Sequence, residues 1–257
     1  MIQLDDSDGL CRIGGVAALA ISLLYIVSGA ITGIGYRTSP VPNEAIGWFT
    51  LFQSNPLLGF VYLGIQDAVI AILSVPLFLA LYQVLKGVSR IWALLATVFA
   101  MIGITMYLSM HTSFSVLSLS SQYARATTEA RKATLLAGGQ ALIADPRVGF
   151  GLVIVWAAAF VISILMLRGK VFSKFTSIVG MAGFFLLLLG ITVPAGYTTT
   201  DTLITPAESV ITALSIGGGG LLSLIWYVLV GVKLFSLKGS QPAQTKPLQQ
   251  QSNLAGS

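Results

Sequence analysis

Asp67 is the one ionisable side chain set well inside a long apolar run of this chain, with Gln66 beside it and Pro76 further along the same run. In hydrocarbon a carboxylate is protonated, paired or turned towards a cavity, so an acid in such a place is a functional candidate by default. The structural alternative is a protonated Asp67 that hydrogen-bonds across helices to Ser, Thr or Tyr and fixes packing only. His111 is the only histidine, with Tyr107, Ser109, Thr112 and Ser113 around it. A step of four residues puts Tyr107 and His111 on one helix face. That face could line a wet outer vestibule in which His111 titrates near neutral pH. The plainer account is an interface histidine wetted by headgroups. The candidate ligand-binding set is therefore Asp67, Gln66, Tyr107 and His111. The runs that carry Asp67 and His111 place them at different depths, which argues against a direct pair.

Little else in the sequence could do chemistry. One histidine cannot build a His-based metal site, and Cys11, the only cysteine, allows neither an intramolecular disulfide nor a cysteine-based zinc site. There is no Walker A loop, dinucleotide fingerprint or HExxH, and serine-based catalysis would have no base other than His111. No metal or cofactor is expected, and no catalytic residue is assigned.

The elements that must position these residues follow from composition. Apolar residues make up 55 % of the chain and charged residues 9 %, against roughly a quarter charged in a soluble domain. The apolar residues come in long runs, not in amphipathic stripes, so lipid must be the solvent for much of the chain. A bilayer core about 30 Å thick needs roughly 20 helical residues. Six runs meet that test, at about 13–35, 57–85, 91–115, 148–167, 175–194 and 207–237. The expected fold is an all-α polytopic transmembrane bundle of six spans, spanning 13–237, with a short N-terminal segment 1–12. The start of the sixth run is the best marked, because Thr205, Pro206 and Glu208 supply a cap, a first-turn proline and the acid of a capping box. The acidic N-terminus, with Asp5, Asp6 and Asp8, is unlike a secretory signal, so the first run is expected to be kept as a helix.

Charge sets the expected orientation. The formal charge is +5, carried by 14 basic residues that lie mostly in short segments between the runs. With the N-terminus inside, Arg12, Lys86, Arg90, Arg168, Lys170, Lys174, Lys233, Lys238 and Lys246 face the cytoplasm. Arg37, Arg125, Arg131, Lys132 and Arg147 face outward. The bias favours both termini in the cytoplasm. This is a topology signal and not a nucleic-acid footprint, because no soluble domain is large enough to present a basic face.

Two outer loops have structure of their own. Asn43 is expected to cap a short helix from Glu44 to Gln53, with Trp48, Phe49 and Phe52 at the headgroup level. Thr128 to Ala137 reads as a helix closed by Gly138 and Gly139, resting on the outer surface. Gly29 with Gly33 and Gly180 with Gly183 have helix-packing spacing. The run Gly217 to Gly220 is expected either to pack closely or to loosen its helix. Residues 238–257, rich in Gln, Ser and Pro, read as a disordered cytoplasmic tail.

The segment 43–73, with Gly64-Ile65-Gln66-Asp67-Ala68 opening its second half, resembles a bacterial and archaeal six-helix membrane family catalogued only as a domain of unknown function. So do Tyr82-Gln83-Val84-Leu85 running through Ser89-Arg90, and 170–180 leading into Gly183. The resemblance covers about 12–237 and implies six helices and a prokaryotic plasma membrane. Members often carry a histidine near the start of the fourth span, and 141–153 has none here. Three functions remain open from sequence. The chain could bind or pass a small apolar or amphipathic molecule through an interhelical cavity with Asp67 as its polar contact. It could be a membrane-embedded enzyme on a lipid-like substrate using Asp67 and His111, or a structural subunit. The expected partners are the lipid bilayer and a small apolar ligand, with no nucleic acid and an oligomeric state left open.

Overall fold

In the computed structural model the described residues are 6–38, 40–145, 149–192 and 213–237. They form α1 (Asp6–Thr38), α2 (Ala45–Ser54), α3 (Pro56–Tyr62), α4 (Ile65–Leu85), α5 (Arg90–Ser109) and α6 (Ser113–Arg125). Then come α7 (Glu129–Ile143), α8 (Phe150–Arg168), α9 (Lys174–Thr192), a π-helical segment (Ala213–Gly218) and α10 (Gly219–Ser236). The described residues contain no strand.

Five stretches are long and apolar enough to cross a membrane: Gly9–Ile34, Ile65–Leu85, Arg90–Arg125, Phe150–Arg168 and Gly219–Ser236. A sixth apolar helix, Lys174–Gly190, is shorter. Their outer faces expose Leu23, Ile72, Ile91, Phe99, Phe175 and Val232. Water would penalise apolar exposure on this scale, and lipid does not. The chain is a helical membrane protein.

Six helices close into a ring. α1 packs on α4, α4 on α5, α5 on α8, α8 on α9, α9 on α10, and α10 returns to α1. Lipid tails are as apolar as leucine, so helices gain little by hiding leucine from them and associate through close backbone approach instead. Three of these crossings show it. A Cβ on Gly15 would stand 3.1 Å from the Gly231 carbonyl oxygen, one on Gly103 2.7 Å from that of Gly151, and one on Gly219 3.0 Å from that of Gly183. Gly180 likewise leaves no room for a Cβ beside Ser163 and Trp226. Gly29 and Gly33 do not pack as their spacing suggested. Among the described residues nothing lies within 4 Å of a Cβ on either, and α1 is largely exposed from Ile26 to Ile34. The glycine run at 217–220 does loosen its helix, which is π-helical until Gly218.

α2, α3, α6 and α7 form a separate cap with its own core of Trp48, Phe49, Leu51, Phe52 and Val116. This corrects the reading of α2 as an interfacial helix. Trp48, Phe49 and Phe52 are 4 %, 0 % and 2 % exposed, covered by protein and not by headgroups, because residues first read as loop supply α6 and α7 as partners. Its first turn differs too. Glu44, not Asn43, occupies the cap position and makes no side-chain cap, while Gln140 Oε1 accepts from the Ala45 N–H at 3.0 Å. α7 does not stop at Gly138 and Gly139 but runs on to Ile143. Gly139 is the point where α7 presses on Phe49, 2.7 Å from where a Cβ would stand.

Two expected spans are interrupted. The run 57–85 is α3 and α4, broken at Leu63 and Gly64, and the run 91–115 ends at Ser109 and restarts as α6 at Ser113. The expected helix start at Thr205, Pro206 and Glu208, the end of the fifth run at Pro194 and the tail 238–257 lie outside the described residues.

Candidate functional site

The break before α4 is made by Gly64, whose φ of +75° is the one positive value among the described residues. L side chains are strained there, and glycine is not. Gly64 then serves as the residue that starts α4: its carbonyl oxygen accepts from the Asp67 N–H at 2.9 Å and the Ala68 N–H at 3.3 Å. Asp67 is therefore not in the middle of a span. It belongs to the first turn of a helix, where unpaired backbone N–H groups and the helix dipole favour a carboxylate. Its side chain folds back on the bend, with Oδ2 2.9 Å from where a Cβ on Gly64 would stand.

The second break, at Met110 to Thr112, lies against the first. Tyr107, in the last turns of α5, donates its hydroxyl hydrogen to the Gly64 carbonyl at 3.4 Å. Ser113, the first residue of α6, donates to the Leu63 carbonyl at 3.2 Å and lies 2.9 Å from His111 Nε2. The Tyr107 and His111 rings are 5.7 Å apart, as their spacing of four predicts. The second break thus supplies hydrogen bonds to two carbonyls of the first.

The four residues singled out from sequence are grouped at this junction more closely than their runs implied. Tyr107 mediates: its Oη is 3.3 Å from the same Cβ position on Gly64 that Asp67 Oδ2 approaches. No bond joins Asp67 directly to His111. Gln66 Oε1 and His111 Nδ1 are buried without a hydrogen-bond partner. Sequence reasoning missed Gly64, Leu63 and Ser113. The signal for Gly64 was present, since a glycine followed three residues later by an acid is how a helix can begin.

An apolar groove of about 610 Å³ lies between Ile31 of α1, Leu57, Leu58 and Val61 of α3, Ile65 of α4 and Phe114 of α6. Ile65 is its one lining residue from α4, and Gln66, Asp67, Tyr107 and His111 are not part of its wall. Among the described residues no three His, Cys, Asp or Glu side chains group as metal ligands.

The model of a family described as Domain of unknown function (DUF4386) matches residues 13–231. No curated protein and no solved structure matches the chain.

Proposed function

The chain belongs to the DUF4386 family, and from that membership and the geometry at Gly64 we propose a six-span plasma-membrane protein that binds or passes a small amphipathic molecule. Both termini would lie in the cytoplasm, in keeping with the excess of Lys and Arg on that side. α4 and α5, of 21 and 20 residues, each reach about 30 Å at 1.5 Å per residue. α3 and α6 then stand beyond the hydrocarbon, with the cap outside the cell and the junction at the outer edge of the bilayer.

One observation carries the ligand reading. The apolar groove is walled in part by Ile65 in the first turn of α4, the turn that also carries Gln66, with a buried unpartnered oxygen, and Asp67. An apolar cleft with a few polar groups close by is the ordinary form of a small-molecule site. The tail would lie in the groove and the polar end beneath the Gly64 bend. The enzymatic reading draws on the same residues, with Asp67 as acid or base and His111 assisting. The structural-subunit reading would leave Asp67 as a first-turn residue and no more.

Purification in native lipid, with mass spectrometry of retained small molecules, tests the proposal on wild type and Asp67→Asn. A defined molecule held by wild type and lost from the variant supports a ligand site, and its conversion on incubation would make that site catalytic. If neither protein retains anything, and both melt alike, the ligand reading fails and Asp67 is a packing residue.

A further inference from the structure

We infer that the end of the ring where the α4–α5 and α8–α9 turns meet binds an anionic phospholipid of the cytoplasmic leaflet. Two features side by side name the partner: a cluster of cations without acids, and exposed apolar residues next to it. The inference does not depend on the Gly64 site, and of the preceding reading it uses only the orientation.

The sequence supplies Lys86 and Arg90 at one turn and Arg168, Lys170 and Lys174 at the other. The fold then joins the two turns. A Cβ on Gly169 would stand 2.8 Å from Val88 Cγ2, and Phe172, buried beneath the second turn, belongs to the core on which Val88 packs. All five cations are exposed. Lys86 donates to Gln83 Oε1 at 2.8 Å, a neutral partner. The ion pair among the described residues is Lys132 with Glu129, in the cap, so no acid neutralises any of the five there. Neither turn contains an Asp or Glu, and nor do α5, α8 and α9. Asp6 and Asp8 belong to α1, which packs on α4 and α10.

Helix stability does not account for the cluster. Lys86 and Arg168 stand at the ends of α4 and α8, where the helix dipole favours a cation, but Arg90 and Lys174 are the first residues of α5 and α9, where it does not. Topology does not account for it either. A cytoplasmic bias needs cations on that side of the membrane, but not on two turns that touch, where like charges repel unless an anion sits among them. The apolar neighbours decide what carries the anion. Ile91, Trp92 and Phe175 follow Arg90 and Lys174 by one or two residues and are 70 %, 56 % and 63 % exposed. They belong to the lipid-facing surface of the ring, and a tryptophan there suits the headgroup level. A soluble anion would meet the cations and leave this apolar surface unused. A phospholipid with a net negative head meets both, and basic pockets at the cytoplasmic ends of membrane helices take such heads.

The test is native mass spectrometry of the full chain in detergent, titrated with phosphatidylglycerol and with phosphatidylcholine of the same acyl chains. The two lipids differ in net charge and not in their tails. Wild type should hold phosphatidylglycerol in clear preference. A Lys or Arg at the membrane surface changes the binding of anionic lipid by about five-fold, so Arg168→Gln with Lys170→Gln should weaken it by about twenty-five-fold. Arg125→Gln with Arg131→Gln, which removes the same charge from the cap, should leave the preference in place. If the first pair does not fold, Lys170→Gln alone should still cost about five-fold. Equal retention of the two lipids by wild type would overturn the charged site. Equal loss in the cap pair would overturn its location. Glycerophosphoglycerol, the headgroup without tails, should displace the lipid poorly. Displacement as effective as that by phosphatidylglycerol itself would overturn the lipid and make the partner a soluble anion.

Discussion

Tyr107 donates its hydroxyl hydrogen to the Gly64 carbonyl oxygen at 3.4 Å, and so ties the end of α5 to the bend from which α4 starts. Six residues later Ser113 does the same for Leu63. Two interruptions far apart in sequence are therefore one structural feature, the seam between ring and cap. Asp67, Gln66 and His111 owe their positions to that seam, so its integrity can be probed apart from any ligand.

Gly64→Ala should destabilise the protein. A left-handed backbone costs an L residue about 1–2 kcal/mol, and the new Cβ would also meet Asp67 Oδ2 at 2.9 Å. Thermal unfolding in detergent should show a clear fall in Tm. Gly87→Ala is the control, since among the described residues nothing lies within 4 Å of its Cβ position and its φ is not positive. Equal Tm values for the two variants would mean that the Gly64 bend is not the strained point described.

Ser113→Ala removes a fully buried hydroxyl and leaves the Leu63 carbonyl without the donor it has now. An unsatisfied buried group costs about 1–3 kcal/mol. The loss should be local, so hydrogen exchange should quicken in α3 and α6 while α8 and α9 keep their protection. Uniform quickening through the ring would show that the seam and the ring unfold as one unit.

The ring was legible in the sequence because lipid demands long apolar runs, and the described part of each run contains one helix of the ring. The seam was not. The runs 57–85 and 91–115 stay apolar through Gly64 and through Met110, so hydropathy carries no trace of either break, although the glycine and the acid three residues later did. Of the cap, the helices at 44–53 and 128–137 were expected, and α6, which joins them into one core, was missed for a different reason. α6 carries Ser113, Ser115, Ser118, Ser120 and Ser121 among its apolar residues, a composition that reads as loop until Phe49 and Val116 are seen sharing one core. Of the candidate site, Tyr107 and His111 followed from helical spacing. The approach of Tyr107 to Asp67 at the Gly64 bend did not, since it depends on where two helices break.

Gly151→Ala should act on the site from a distance. A Cβ on Gly151 would stand 2.5 Å from the Tyr107 backbone nitrogen and 2.6 Å from the Gly103 carbonyl oxygen, both main-chain atoms that cannot rotate aside. α5 and α8 must separate, and overpacking of this kind costs about 1–3 kcal/mol. Because the obstacle is Tyr107 itself, the Tyr107 bond to Gly64 should be lost in whatever fraction stays folded, and hydrogen exchange should quicken at the start of α4. Gly231→Ala, which crowds Leu19 at the α1–α10 crossing, should lower Tm with less effect on exchange there. Equal quickening in both variants would indicate general loosening of the ring.

The six-span, N-inside topology can be read from two single cysteines. Cys11 is the only native cysteine, so Cys11→Ala gives a background without thiols. Gly87 lies exposed in the turn between α4 and α5, and Thr127 lies exposed between α6 and α7. The positive-inside bias assigns the first to the cytoplasm and the second to the outside. A membrane-impermeant maleimide applied to intact cells should therefore label Thr127→Cys at once, and Gly87→Cys only after permeabilisation. The reverse pattern would invert the protein and put the cap, with the Gly64 junction, on the cytoplasmic side. Labelling of both positions from one side would mean that α5 does not cross the bilayer. The 20 residues of α5 are enough for one passage of about 30 Å, which is why the first of these three outcomes is expected.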